Sequence, residues 1–224
     1  MISKIDNFVV KKPWGNEYII CKNSTTATWL LNIKHNKKTS LHCHPKKKTG
    51  FILLSGQVEV MLGFYDKRIL KAPSKLMIRP GLFHSTRAIS KKGAVVLEIE
   101  TPINKNDLVR YKDNYGRENK PYEGKNKMIK KSGKLLYFKV PKNNQTNKYN
   151  FKDIEITIEK HLSTKKLTKR DKNTIFAILG GGLSDKKGQL VLSPGDIVRT
   201  DTIKKLSKVF KIKKNLTILT CKKN

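Results

Sequence analysis

The apolar residues of this chain come in short runs closed by turn residues, and this constrains the fold more than any other feature. Residues 29–33 form one such run. Residues 51–54 end at Ser55-Gly56, and residues 57–62 alternate directly afterwards, which predicts a hairpin. Residues 75–78 stop before Pro80-Gly81, and residues 94–100 form a long apolar strand carrying Glu98 and Glu100. No segment sustains a helical period over several turns. Such a pattern predicts an all-β sandwich or barrel. With 224 residues and 37% hydrophobic content, the chain can bury a real core and is not a disordered polymer.

The pattern breaks between residues 104 and 131, which are rich in Asn, Asp, Lys, Tyr and Gly, and resumes from Gly133. The second half echoes the first. Phe51-Ile-Leu-Leu-Ser-Gly56 recurs as Phe176-Ala-Ile-Leu-Gly-Gly181, and Leu76-Met-Ile-Arg-Pro-Gly81 recurs as Leu190-Val-Leu-Ser-Pro-Gly195. Two signals in the same order predict a duplicated barrel. The expected organisation is a first barrel with its tail over 1–124, a linker over 125–132, and a degenerate second unit over 133–224.

The formal net charge is +32. A polyanion partner is one explanation. Against it, the lysines are spread along the whole chain, and Arg, the residue suited to bidentate phosphate and base contacts, is scarce. Compositional drift accounts for the charge better, and a nucleic-acid partner is not expected. No apolar run approaches the roughly 18 residues of a membrane span. Residues 1–13 lack the apolar core of a signal peptide. Cys21, Cys43 and Cys221 are too few and too scattered for a disulfide framework, and no C-x-x-C pair exists. A cytoplasmic location is expected.

Three of the five histidines stand in a suggestive pattern. His42-Cys43-His44 lies at the end of a strand, where alternation turns both imidazoles to one face, about 7 Å apart along the chain. Pro80-Gly81-Leu82-Phe83-His84 ends one strand and launches His84 at the start of the next. Three imidazoles from neighbouring strands make a facial ligand set for one divalent transition metal, whether Zn, Fe, Mn, Co or Ni. His35 and His161 have no such context and read as surface residues. Cys43 is turned away from its neighbours and reads as a buried thiol.

These two motifs resemble those of the cupin superfamily, which implies a jelly-roll β-barrel, here duplicated with a degenerate second barrel. A narrower resemblance covers residues 12–117, which look like the C-terminal cupin domain of type II phosphomannose isomerases. It is carried by Pro13-Trp14-Gly15, by Ser40-Leu41-His42-Cys43-His44, and by Asp107-Leu108-Val109-Arg110 with Tyr115-Gly116-Arg117. The resemblance implies aldose–ketose isomerisation of a hexose phosphate such as mannose 6-phosphate. Nothing here resembles the nucleotidyltransferase half of those enzymes, so sugar-nucleotide pyrophosphorylase activity is not expected.

The departures bear on chemistry. Thr49 replaces the family's Glu ligand, Gly50 the following His, and Lys47 an Arg. The ligand set is thereby reduced to His42, His44 and His84. In the second half, Leu167, Lys169 and Val198 occupy the corresponding places, so no metal is expected there. Glu98 and Glu100 share one strand face and, if inward, supply a proton-transfer base. Lys47, Arg87 and Arg110 are the candidates to hold a phosphate. For Arg110 and Arg117 an alternative is to anchor the tail through salt bridges. The run Lys46-Lys47-Lys48 reads as a solvated loop unless it borders the pocket, and Trp14 reads as a packing anchor. Two other functions fit the same residues: a three-histidine iron(II) oxygenase, and a non-catalytic sugar-binding or partner protein. A small sugar or sugar phosphate is the expected ligand, and a homodimer is the candidate assembly.

Overall fold

Strands that are apolar on both faces and strands that are apolar on one face sort into different sheets. The computed structural model describes residues 8–130 and 135–224, apart from the side chains of 125, 126, 213 and 214. The N-terminal stretch 1–7 and residues 131–134, where the expected linker ends and the second unit begins, lie outside the described residues. In chain order the first strands are β1 (Phe8–Lys12), β2 (Gly15–Lys22), β3 (Ala27–Ile33), β4 (Leu41–Cys43), β5 (Lys48–Ser55) and β6 (Gln57–Leu62). They continue as β7 (Asp66–Lys71), β8 (Ser74–Ile78), β9 (His84–Ala88), β10 (Ala94–Thr101), β11 (Val109–Lys112) and β12 (Met128–Lys130). One sheet runs β12-β1-β2-β3-β10-β5-β8, and a second runs β11-β4-β9-β6-β7. Strand β12 falls within the expected linker and pairs antiparallel with β1.

The expected hairpin between residues 51–54 and 57–62 does not form. β5 pairs with β10 and β8, whereas β6 pairs with β7 and β9. The reason is in the pattern of each strand. β5 is buried on both faces, so it belongs in a sheet covered on both sides, while β6 alternates buried and half-buried and leaves one face to solvent. Ser55-Gly56 is therefore a corner between sheets. Gly56 has φ +85°, and a Cβ there would lie 2.4 Å from the Gly93 carbonyl oxygen.

The barrel interior is filled by Trp14, Trp29, Leu31, Phe51, Leu53, Val58, Val60, Ile78 and Val96. The alternate residues of the same strands, Leu30, Ile52, Leu54, Leu97 and Ile99, face outward and are equally buried. What covers them is the second half of the chain.

That half contains β13 (Thr146–Phe151), β14 (Ile154–His161), β15 (Ile175–Ser184), β16 (Leu190–Leu192), β17 (Ile197–Arg199), helix α1 (Thr200–Val209) and β18 (Lys211–Lys223). Its sheet runs β13-β14-β18-β15-β16, with β17 also on β15. This repeats the order β2-β3-β10-β5-β8 of the first sheet. The two sequence echoes fall on β5 and β8 and on β15 and β16, paired antiparallel in each case. The duplication is thus visible in topology. The second unit keeps one sheet of the jelly roll. Where the other sheet's strands would run, it has a 3-10 turn (Leu167–Lys169) and α1. Sequence reading missed α1 because Ile203, Leu206 and Phe210 mark its apolar side over barely two turns. Leu167, the counterpart of a ligand histidine, packs with Phe176, Ile178 and Ile203.

The two sheets pack back to back. Ile154, Ile156, Ile158, Ile175, Leu179 and Ile197 meet the outward residues of the barrel. At its rim Lys48 pairs with Asp196 at 2.8 Å. Gly50 sits under this contact. A Cβ there would lie 2.5 Å from Ile197 Cδ1 and 3.1 Å from the Gly195 carbonyl oxygen. Gly50→Ala is expected to destabilise the fold by about 1–3 kcal/mol through overpacking. Chemical denaturation measures it, and Ile197→Ala in the same chain is expected to remove most of the penalty. An unchanged midpoint in Gly50→Ala would contradict this seating. No helix among the described residues is long and apolar enough to cross a membrane.

Candidate metal centre and its pocket

β4 lies between β9 and β11, and this places the histidines. His42 is directly opposite His84 across the β4–β9 pair, and Arg110 is opposite His42 on the other side. His44 follows immediately after β4. The ring centroids are 4.4 Å apart for His42–His84, 5.0 Å for His42–His44 and 5.5 Å for His44–His84. One ligand nitrogen from each lies within 4.8 Å of the others, close enough for one ion to draw them together.

The hydrogen bonds decide which nitrogen is free. Nδ1 of His42 donates to the Ser40 carbonyl at 2.8 Å, that of His44 to the Asp107 carbonyl at 2.6 Å, and that of His84 to the Leu82 carbonyl at 3.0 Å. A carbonyl only accepts, so each Nδ1 carries the proton and each Nε2 presents a bare lone pair. His84 Nε2 is buried with no hydrogen-bond partner among the described residues. An orphaned buried acceptor costs about 1–3 kcal/mol, which a metal ion would relieve. Burial, with the neighbouring cationic groups, holds His44 at about 3 and His84 at about 4. His42 is also held well below its ordinary value, by burial and the other two rings. All three are neutral near pH 7, the state that ligates. The donor set therefore fits a divalent transition metal. Thr49, in the place of the family's Glu, is buried, and its Oγ1 has no hydrogen-bond partner among the described residues. Cys43 is buried, and burial together with Asp107 raises its pKa, so it remains a protonated thiol.

A small pocket lies over the centre, with a cavity volume of about 60 Å³, well below that of drug-sized ligand sites. Glu98 and Glu100 both point inward, as strand phase allowed, but their states differ. Glu100 is fully engaged, accepting from Trp29 Nε1 at 2.9 Å and from Lys47 Nζ at 2.7 Å. Glu98 lines the pocket, and no hydrogen bond or ion pair holds it among the described residues. Burial pushes its pKa up to about 7. Lys105 opposes the shift, and Glu100 and Glu17 add to it.

The expected phosphate grip is not assembled. Lys47 is 1% exposed and locked to Glu100, so the three-lysine run is not a uniform solvated loop. Arg87 alternates to the outer face of β9 and pairs with Glu59 at 3.3 Å. Arg110 lines the pocket, but its guanidinium donates to the Pro121 carbonyl at 2.9 Å and to Glu123 at 3.2 Å. His161, expected at the surface, is buried and bonded to Glu159 at 2.6 Å.

Residues 104–124 return over the barrel mouth and add Leu108 and Arg117, both within motifs read from the sequence, and Lys105 and Tyr122, which sequence reading missed, to its wall. Glu123 fastens this tail by pairing with Lys12 at 2.5 Å, Arg117 at 2.6 Å and Arg110 at 3.2 Å. Burial alone would raise the Glu123 pKa, but Lys12 and Arg117 outweigh it and hold it at about 2. Tyr122 donates to Glu17 at 2.5 Å, and Lys105 stands 3.7 Å over the Trp29 ring. Lys105, Tyr122 and Glu123 flank the Arg110 and Arg117 motifs in a stretch with no periodicity, which left no signal for them.

No family model and no curated protein sequence matches the chain. Among solved structures, a Klebsiella pneumoniae protein with a double-stranded β-helix domain aligns at 15% identity. It covers 43% of this chain and 84% of its own, with TM-score 0.40. KdgF from Halomonas sp. aligns at 16% identity over 46% of this chain and 94% of its own, with TM-score 0.41. A putative sugar phosphate isomerase from Acidithiobacillus ferrooxidans aligns at 18% identity over 35% and 51%, with TM-score 0.33. By its own strand order the first unit is a jelly-roll β-barrel of two sheets, with the three histidines gathered on its second sheet.

Proposed function

We propose that the barrel is a metal-dependent sugar isomerase, moving a proton between adjacent carbons of an open-chain aldose to give the ketose. The observation that carries this reading is one uncommitted buried carboxylate, Glu98, lining the same pocket as His42 and His44, whose rings stand against His84. A metal on His42, His44 and His84, when bound, supplies Lewis acidity toward carbonyl and hydroxyl oxygens. Glu98 takes the proton from the carbon next to the carbonyl and returns it to the former carbonyl carbon, while the hydroxyl proton of the adjacent carbon passes to the former carbonyl oxygen, so no oxidant or reductant is needed. Glu100 is left out of this step by its bonds to Lys47 and Trp29. Tyr122 and Trp14 offer an aromatic edge to the sugar, and the tail limits water.

Resemblance to phosphomannose isomerases suggests a phosphorylated substrate, but Lys47, Arg87 and Arg110 do not offer free cations to the pocket. Lys105 remains, with its ammonium 3.8 Å from Glu100. The reading therefore favours an unphosphorylated hexose over a hexose phosphate. The test is turnover of matched aldoses and aldose phosphates by protein loaded in turn with Zn, Fe, Mn, Co and Ni. Glu98→Gln is expected to lower turnover by about 10²–10⁴-fold with metal content unchanged. In the wild type, kcat/KM is expected to rise with pH as Glu98 loses its proton, with an apparent pKa at or below about 7, since a bound cation lowers it further. No turnover of any aldose by fully loaded protein would reject the isomerase. Oxygen uptake by the iron-loaded form would then point to the oxygenase, and failure to load metal to a binding protein.

A further inference from the structure

In sequence the lysines are dispersed, but the fold gathers some of them. A cleft on the side of the third sheet away from the barrel runs between α1 and the 167–169 turn. Lys165 comes from one wall, Lys204, Lys205 and Lys208 from the helix, and Lys211 from the strand that follows; Asp201 is the single carboxylate in the lining. All five lysines are exposed, and none makes an ion pair among the described residues. The barrel pocket is the opposite case, since there Lys12, Lys47, Arg110 and Arg117 are each matched by a carboxylate. Five unmatched cations around one concave surface repel one another, and a bound polyanion relieves that repulsion.

The arrangement narrows the polyanion. Lys204 and Lys208 stand one helical turn apart, about 6 Å along the axis, with Lys205 beside them and Lys211 beyond. The walls are held together from beneath by Leu167 and Ile203, which share an apolar cluster. An open cleft of about 720 Å³ admits a chain of phosphates and follows one more closely than it follows the flat face of a bilayer. Lysines without arginine supply point charges to phosphate and no bidentate grip on base edges. We propose that this cleft binds the backbone of a single-stranded nucleic acid without regard to sequence, independently of the barrel pocket.

The test uses the full chain and a labelled, mixed-sequence single-stranded 20-mer, followed by fluorescence anisotropy between 50 and 200 mM salt. If each of the five lysines neutralises one phosphate, log K against log salt has a slope of about −3.5, a loss of roughly 100-fold over that range. The triple variant Lys204→Glu, Lys205→Glu, Lys208→Glu is expected to flatten the slope by about 2 and to weaken binding at least about tenfold at 50 mM salt. A control with the same net charge, Lys37→Glu, Lys91→Glu, Lys92→Glu, changes exposed lysines away from the cleft. It is expected to stay within about twofold of the wild type, because contacts and not net charge set the slope. Circular dichroism confirms that both variants fold. Equal losses in the two variants would show diffuse attraction to a basic surface and overturn the proposal. Binding to vesicles containing anionic lipid, with no binding of the oligonucleotide, would overturn it in favour of a membrane surface.

Discussion

His84→Ala is expected to reduce bound transition metal from about one per chain to near zero, with metal affinity lower by at least about 100-fold. Altering an outer partner of a ligand typically costs 10–100-fold, and removal of the ligand itself costs more. His84 supplies one of three neutral nitrogens, and among the described residues no carboxylate belongs to the ligand cluster with His42 and His44. Thr49 occupies the family's acidic position with a hydroxyl, and Glu100 is held by Lys47 and Trp29. The change removes the orphaned buried Nε2 and leaves the Leu82 carbonyl without its His84 donor, so some loss of stability accompanies it. Elemental mass spectrometry of wild type and variant, with thermal melts alongside, separates lost ligation from lost structure. Full metal occupancy in a folded His84→Ala protein would remove the three-histidine centre from consideration.

Glu123→Ala is expected to destabilise the protein by about 3–5 kcal/mol, the usual cost of stripping the partner from buried charges. Three cations pair with this carboxylate, and the side chains of Lys12, Arg110 and Arg117 are each no more than 10% exposed. Arg117 keeps Asp113 and Lys12 keeps the more distant Glu17, so Arg110 is the one left without a carboxylate. At about 2–4 °C per kcal/mol for a chain of this size, the melting temperature should fall by roughly 6–20 °C. The damage should be local before it is global. Residues 104–124 should exchange amide hydrogens faster, because the tail loses its main fastening. The pH dependence has a definite sign. The folded-state pKa of Glu123 is depressed, so its stabilisation is complete above the ordinary carboxylate value and fades as pH falls toward about 2. The stability gap between wild type and Glu123→Gln should therefore be widest at neutral pH and close in acid. A gap independent of pH would assign the loss to packing instead of charge.

How much of this could be read in the sequence depends on how local each signal is. The histidines were legible because strand alternation fixes their direction from two residues of context. Glu98 was legible in phase, since Leu97 and Ile99 mark the opposite face. The apolar faces of β5 were legible as well, yet their meaning was misread. Two buried faces require a second covering layer, and the corner at Gly56 follows from that requirement and not from the turn residues. α1 escaped because two turns give too short a period. Lys47 escaped because the burial of a cation is decided by its partner, here Glu100 on a distant strand. The tail residues Lys105, Tyr122 and Glu123 escaped for a similar reason: a returning segment has no period, and only the folded barrel shows what it returns to. Gly50 reads in the sequence as a lost ligand and in the structure as the clearance that lets Ile197 and the second sheet approach.

The Nδ1 atoms of all three histidines donate to main-chain carbonyls. Such acceptors belong to every amino acid, so at Leu82 the tautomer is set by the path of the backbone alone. By contrast, Ser40 Oγ also lies 3.2 Å from His42 Nδ1, and the Asp107 carboxylate accepts from the Lys46 and Lys47 amides. Substitution at Leu82 can change the side chain while the ligand lone pairs stay exposed. A centre wired in this way tolerates a surface that drifts heavily toward lysine and asparagine, because little beyond the three imidazoles, Ser40 and Asp107 must be any particular residue for the lone pairs to stay bare. Its vulnerability lies in changes that move the chain, such as an insertion in the 80–84 turn or release of the tail that carries the Asp107 carbonyl.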